Sequence, residues 1–206
     1  MGWPHNYVQA YTWATKPLAS AYTGRAFISD IGGGSVWISN GTRWYPENGR
    51  VVLYNIPTPK ISTFNGQAIA AQYLLQGGVW QDRDIIEISS TYTKNGTLSS
   101  ATHQFKIGSA GLIGDQNIDG CSTTVPGLTN VTTSGTNRIL RVNNTTVKRM
   151  NSGWNGTGTS TAPVALDQTV SSLDSDVYLT YTSSAGGTIG DTFTLYEFMI
   201  TLVTAV

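Results

Sequence analysis

Charge is what this chain has least of. Only 12% of its 206 residues are charged, and 12 Lys and Arg balance 12 Asp and Glu. A typical soluble domain carries about 25%. Without clustered cations to displace counterions, nucleic acid is not an expected partner. Cysteine is nearly absent too. Cys121 stands alone, so no internal disulfide can form and a disulfide-stapled scaffold is excluded. With His5 and His103 as the only histidines, a zinc site of the usual kind has too few ligands. No metal and no cofactor are expected, and Cys121 reads as a small buried or loop thiol. Long apolar runs are missing. The longest apolar-rich stretch, Phe193 to Val206, contains Glu197 and three Thr, well short of the roughly 20 residues that span a bilayer. Membrane insertion is not expected. No charged segment followed by an apolar run opens the chain, so no signal peptide is expected. Helical periodicity is also scarce. The best candidate, Trp13 to Ala21, is broken by Pro17 and amounts to a turn or one short helical turn.

Thr, Ser and Gly take the place of charge: 29, 19 and 23 residues, about a third of the chain. Disorder would share this composition but not the 6 Trp, 10 Tyr and 5 Phe. The mixture favours strands and turns. Asn-Gly pairs at Asn40, Asn48, Asn65, Asn95 and Asn155 supply the positive φ of tight hairpins. Strands are expected near Ala26–Ser29, Val36–Ser39, Val51–Ile56, Ala68–Leu75, Asp84–Tyr92, His103–Ile107, Asn137–Val142, Thr146–Met150, Val177–Thr182 and Phe193–Val203. The fold class that follows is all-β: a small N-terminal β module plus a jelly-roll-like antiparallel sandwich. Pro57 and Pro59 suggest a connector, which divides the chain into 1–56 and 57–206. Trp13, Trp37 and Trp44 would form the core of the first part. Fifty-odd residues fold marginally alone, so this module needs a surface to lie on.

The last strand is apolar on both sides. Phe198, Ile200 and Leu202 share one face, and Leu195, Met199 and Val203 the other. One sandwich core can take one of these faces, so Phe198, Ile200 and Leu202 are expected at a subunit interface.

Motifs for chemistry are thin. No Gly-x-Ser-x-Gly elbow and no phosphate loop are present. Gly32-Gly33-Gly34 precedes no helix and reads as a flexible hairpin tip. Asp115-Gln116-Asn117-Ile118-Asp119-Gly120 opens like a calcium loop, but Pro126 stands where the bidentate Glu belongs; a polar turn is expected. Asp82, Asp84 and Glu87 cluster before one strand, and Asp174 and Asp176 before another. Paired carboxylates can hydrolyse glycosides, yet acidic residues at strand ends are ordinarily solvated. Trp154, among short polar residues, is a candidate for glycan or partner contact.

Three segments carry a resemblance: Tyr11-Thr12-Trp13-Ala14-Thr15-Lys16-Pro17-Leu18-Ala19, Gly24 to Ser35, and Trp37-Ile38-Ser39-Asn40-Gly41-Thr42-Arg43-Trp44. Together they resemble a module of tailed-bacteriophage virion-surface proteins of the tail-fibre and head-decoration or head-fibre type. The Gly-rich crossings after Ile107 and Thr182 are similar to the β-sandwich heads of such proteins, which commonly trimerise. The resemblance implies a non-enzymatic structural protein on the virion surface, a homotrimer docked on a phage capsid or tail protein. Host envelope polysaccharide is a further expected contact. The lack of a shaft or heptads favours a compact component. Two alternatives stand beside it: a carbohydrate-active phage enzyme of depolymerase type using Asp82 or Glu87, and a secreted bacterial glycan-binding module.

Overall fold

The structure is a computed structural model, which describes residues 8–63, 66–96, 100–124, 131–155, 167–186 and 192–204. Among these, the only helical element is a three-residue 3-10 turn, Ala19–Ala21. It lies inside the stretch expected to hold a helical turn, after Pro17.

The N-terminal sheet runs β1 (Gln9–Tyr11), β2 (Thr23–Ile28), β3 (Ser35–Asn40) and β4 (Trp44–Pro46), in that order. β1 is parallel to β2, and the other pairs are antiparallel. Its core holds Trp13, Trp37, Trp44, Ala26, Ile28 and Ile31, all buried. Trp13 meets Trp37 edge-on at 5.0 Å, and Tyr22 stacks on Trp44 at 5.4 Å. The indole N–H groups are satisfied locally or across the seam. Trp37 donates to Ser35 Oγ (2.8 Å), Trp44 to Pro17 O (3.0 Å) and Trp13 to Gly77 O (2.9 Å).

Two larger sheets form the sandwich. After β5 (Arg50–Asn55), β6 (Lys60–Thr63), β7 (Gly66–Leu75) and β8 (Ile85–Asn95) come β9 (Ser100–Gly108) and β10 (Gln116–Thr124). β11 (Val131–Asn143), β12 (Thr146–Asn155), β13 (Asp167–Thr169), β14 (Val177–Gly186) and β15 (Thr192–Val203) complete the chain. One sheet is ordered β10-β9-β14-β7. The other is β13-β12-β11-β8-β15-β5, with β6 also on β15. Their pairings are antiparallel throughout. Tyr181 and Phe105 of one sheet reach Phe198 of the other at 5.3 and 6.1 Å. The result is an all-β, jelly-roll-like sandwich carrying a small extra sheet.

Three sequence expectations change here. Arg50–Asn55 pairs with β15, so the small sheet ends at Pro46 and the division after Ile56 falls within the sandwich. β5 and β6 lie along one strand, and Pro57–Pro59 makes the kink between them. Gly32 is no flexible tip. At φ +60° its hydrogen faces Val52 O, which a Cβ would approach to 2.2 Å, so the turn is clamped onto β5. Asp115–Gly120 is not a turn either. β10 begins at Gln116, and Asp115 closes the preceding bend by accepting the Leu112 N–H (2.9 Å).

The largest correction concerns β15. A β-bulge between Leu195 and Glu197 turns Tyr196 outward, half-exposed. The bulge shifts the alternation by one. Phe193 and Leu195 therefore share the inner face with Phe198, Ile200 and Leu202, and all five are buried within the chain. Phe198, Ile200 and Leu202 are fully enclosed by their own sandwich and cannot form a subunit interface. Each contributes about 1.5–3 kcal/mol to folding instead.

His103 sits in the same core, with none of its surface exposed. Its ring lies 3.7 Å from Tyr92, 4.9 Å from Phe193 and 5.9 Å from Tyr181, and neither nitrogen has a hydrogen-bond partner. Burial without a counter-charge pushes its pKa down from 6.5 to about 3. Between those values the unfolded chain binds a proton that the native chain refuses. Stability contributed by neutral His103 is therefore intact above pH 6.5 and falls as pH drops towards 3, by at most about 1.4 kcal/mol per unit. In urea titrations at neutral pH and near pH 5, His103→Phe should flatten this acid loss while keeping the aromatic packing. An unchanged acid slope in the variant would remove His103 as its source.

Candidate functional site

The small sheet meets the sandwich along a seam that carries polar contacts, and a cleft opens there. Its volume is about 580 Å³, within the range of small-molecule sites. Thr42 and Arg43 enter it from the β3–β4 turn, and Gln81 and Asp82 from the loop before β8. Arg141, Asn143 and Asn144 come from the end of β11 and its turn, and Asp174 from the loop before β14.

Arg141 organises this region. Its side chain is almost fully buried. Nε donates to Asp82 Oδ1 (2.8 Å) and Nη2 to Asp174 Oδ1 (2.7 Å). Nη1 donates to the carbonyls of Trp80 and Leu173. Its backbone adds two bonds, N–H to Asp84 O (3.0 Å) and C=O from Arg83 N–H (2.9 Å). One guanidinium thus ties three chain segments. The loop it holds is tightly wound. Arg83 has φ +72°, the one positive value at a non-glycine among the described residues, at a cost of about 1–2 kcal/mol. The Trp80 indole N–H donates to Asp84 O at 2.9 Å, and the Gln81 N–H to Asp84 Oδ2 at 3.0 Å.

Asp84 lies beneath the cleft, wholly buried, and takes Arg43 Nη2 at 2.5 Å. Gln81 Nε2 donates to Trp44 O at 2.8 Å. The tryptophan sheet is thereby bonded to the sandwich at Asp84, Gln81 and Gly77 rather than tethered by a linker. Asp30 strengthens the join by accepting Trp13 N–H (2.7 Å) and Gln76 Nε2 (3.1 Å).

The carboxylates that cluster in sequence are dispersed in space. Asp82 is in the cleft, Asp84 below it, and Glu87 on the outer face of the large sheet. There Glu87 pairs with Arg50 and with Arg138 (3.0 Å). Asp82 and Glu87 are not brought together. Asp174 joins Asp82 through Arg141, while Asp176 accepts the Gly77 N–H (2.9 Å). Trp154 pairs in register with Gly135, and its side chain lies outside the described residues, as do His5 and the side chain of Cys121. Among the described residues no group of three or more His, Cys, Asp or Glu could hold a metal ion. Sequence reasoning missed Arg141 and Arg43. An arginine set between Leu140 and Val142, in the short apolar part of a polar strand, was the available signal for the first.

No family model matches this chain, and no curated protein does. Solved structures do. A polysaccharide lyase family 18 protein, aly-SJ02, aligns at 8% identity over 73% of this chain and 90% of its own, with a TM-score of 0.39. The CBM2 module of the evolved Dit of Lactobacillus casei BL23 phage J-1 aligns at 7% identity over 66% and 70%, with a TM-score of 0.33. Eiger TNF from S. frugiperda aligns at 11% identity over 72% and 94%, with a TM-score of 0.29. At these scores the likeness is one of β-sandwich arrangement.

Replacing Arg141 tests the latch. Arg141→Met leaves two buried carbonyls without their donor and two carboxylates without their cation, and should cost about 3 kcal/mol. Arg141→Lys should recover little of it, because an ammonium cannot span both carboxylates. Arg25→Ala, which breaks the exposed pair with Glu47, should cost under about 1 kcal/mol. Urea midpoints give the ranking, and a lysine variant as stable as the parent would contradict the bidentate role.

Proposed function

We propose that this chain is a non-enzymatic structural protein of a phage virion surface, a compact capsid decoration or tail appendage. The reading rests on one observation. The three segments that carry the resemblance, Tyr11–Ala19, Gly24–Ser35 and Trp37–Trp44, fold into a single unit, the sheet of β1–β4 around Trp13, Trp37 and Trp44. That unit is the attachment element. It offers apolar side chains outward, with Leu18 76% and Phe27 36% exposed. The sandwich faces solvent.

The catalytic alternative finds little support in the geometry. Asp82 and Asp174 share one guanidinium, and Glu87 lies between two. A glycosidase sets two carboxyl groups about one scissile bond, whereas Asp82 opens into the cleft and Glu87 lies on the outer face of the large sheet.

Self-association into a trimer belongs to the same proposal, with its interface moved. Because the inner face of β15 is enclosed, the interface is placed instead on the outer face at the β5–β6 edge, where Ile61 is 71% exposed and Val52 44%. The zero net charge of the chain sets no long-range repulsion against such an assembly.

Two single substitutions separate the roles. Leu18→Asp should abolish rebinding of the purified chain to particles stripped of it and leave sedimentation unchanged. Ile61→Asp should convert a particle of three chains into monomers that keep the strand signature of the parent in far-UV circular dichroism. Normal docking by the first variant would discard the attachment role of the small sheet. A monomeric parent at micromolar concentration would discard the trimer.

A further inference from the structure

We infer that the seam cleft is a binding site for a neutral polyhydroxylated ligand, a saccharide of an envelope or capsule. The inference deepens the binding role proposed above and rests on it only for the absence of cleavage.

The charge of the lining comes first. Arg43 and Arg141 stand on the wall with Asp82 and Asp174, and Asp84 is buried behind Arg43. Arg141 is committed: it directs its donors at Asp82, Asp174 and two carbonyls. Arg43 holds the buried Asp84 through Nη2, and its own buried Nε has no partner among the described residues. With Asp84 counted, three carboxylates stand against two guanidiniums. An anion would meet the carboxylates first, and a cation would have to compete with Arg141.

What the wall does offer is hydrogen bonding of both kinds. Asp82 and Asp174 are each 59% exposed, with one oxygen fixed on Arg141. Each carboxylate therefore keeps a second oxygen to accept a hydroxyl proton, held in a set direction by the buried guanidinium. Asn144 adds an amide that donates and accepts, and Thr42 a hydroxyl. Neighbouring sugar hydroxyls, each both donor and acceptor, match such a wall of acceptors and amides. Charge-assisted bonds of this kind are the stronger class. The cleft sits between two rigid sheets, and its floor loop carries the positive φ of Arg83, so the polar groups are positioned before a ligand arrives. No aromatic ring lines it, so recognition depends on hydrogen bonds rather than stacking, and loss of one amide should be felt strongly.

The test is native affinity electrophoresis of the full chain through gels containing dextran, mannan or hydroxyethyl cellulose, at low and high salt. The expected result is retardation by at least one of these polysaccharides, unchanged by salt. Asn144→Ala and Thr42→Ala should each weaken it about fivefold, the worth of one hydrogen bond, with urea midpoints kept. A parent retarded by none of them overturns the site. So do variants retarded as strongly as the parent. So does retention that appears only at low salt, which would mark a contact carried by charge rather than by hydrogen bonds. New reducing ends in the retained polysaccharide, still sensitive to Asn144→Ala, would uphold the cleft as the saccharide site and overturn the non-enzymatic reading instead.

Discussion

A single buried guanidinium is the constraint on which the two halves of this molecule depend. Of the 12 cations, Arg141 lies almost wholly inside, as do Lys94 and Lys106. Desolvating a guanidinium costs several kcal/mol unless its donors are matched, and here two carboxylates and two carbonyls match them. The consequence is positional. The Trp80–Asp84 loop must lie where Arg141 can reach it. Asp84 is then in place to receive Arg43, and Gln81 to reach Trp44 O. The tryptophan sheet, too small to be stable alone, gains both a polar anchor and the flank of the sandwich. Its Trp13 indole closes the arrangement on Gly77, whose hydrogen faces Asp174 O so closely that a Cβ would lie at 2.4 Å.

The cleft is a by-product of that join. Two sheets meeting at a seam leave a gap where their loops diverge. Polar residues collect there because backbone at strand ends needs partners. Arg141 does the further work of holding Asp82 and Asp174 open to solvent rather than letting them fold back onto loop N–H groups. Structure and recognition therefore draw on the same side chain, and damage to the latch should affect both together, whereas changes at Thr42 or Asn144 reach recognition alone.

Much of the fold was legible in the sequence, and the failures have particular causes. All ten expected strands are present, because runs such as Ile86, Ile88, Ser90, Tyr92 show the period of two plainly and Asn-Gly pairs end them. β1, β4, β6 and β13 went unseen because three or four residues carry no period, and their pairing is supplied by a neighbour. β10 was hidden by its own polar composition, Gln116 to Thr124, which local chemistry reads as a turn. The two faces of β15 were misassigned because one bulged residue, Tyr196, inverts the parity of everything on one side of it, and apolar residues on both sides conceal the slip. The site was less legible still. Asp82, Asp84 and Glu87 look like one acidic cluster in sequence, and the pleat and loop send them to the cleft, the interior and the outer face. The pairing of Arg141 with Asp82 and Asp174, 59 and 33 residues away, has no local signature at all.

The scarcity of charge acquires a meaning once the ions are located. Among the described residues ten charged side chains are gathered into pairs and triads: Arg25 with Glu47, Arg43 with Asp84, Arg50 and Arg138 on Glu87, Asp82 and Asp174 on Arg141. Between them the outer face of the large sheet is paved with hydroxyls bonded across strands, Ser89 to Thr136, Thr93 to Thr132, and Thr91 to Glu197. Such a surface has little long-range field. Salt would change its contacts only slightly, and ligands or copies of the chain would be selected by shape and hydrogen-bond pattern rather than by steering. A protein exposed to variable ionic conditions gains from this arrangement, since its internal joins are shielded by burial and its outward contacts never depended on charge. The ions hold the scaffold together, and at the cleft the same pairs hold Asp82 and Asp174 in place at the surface.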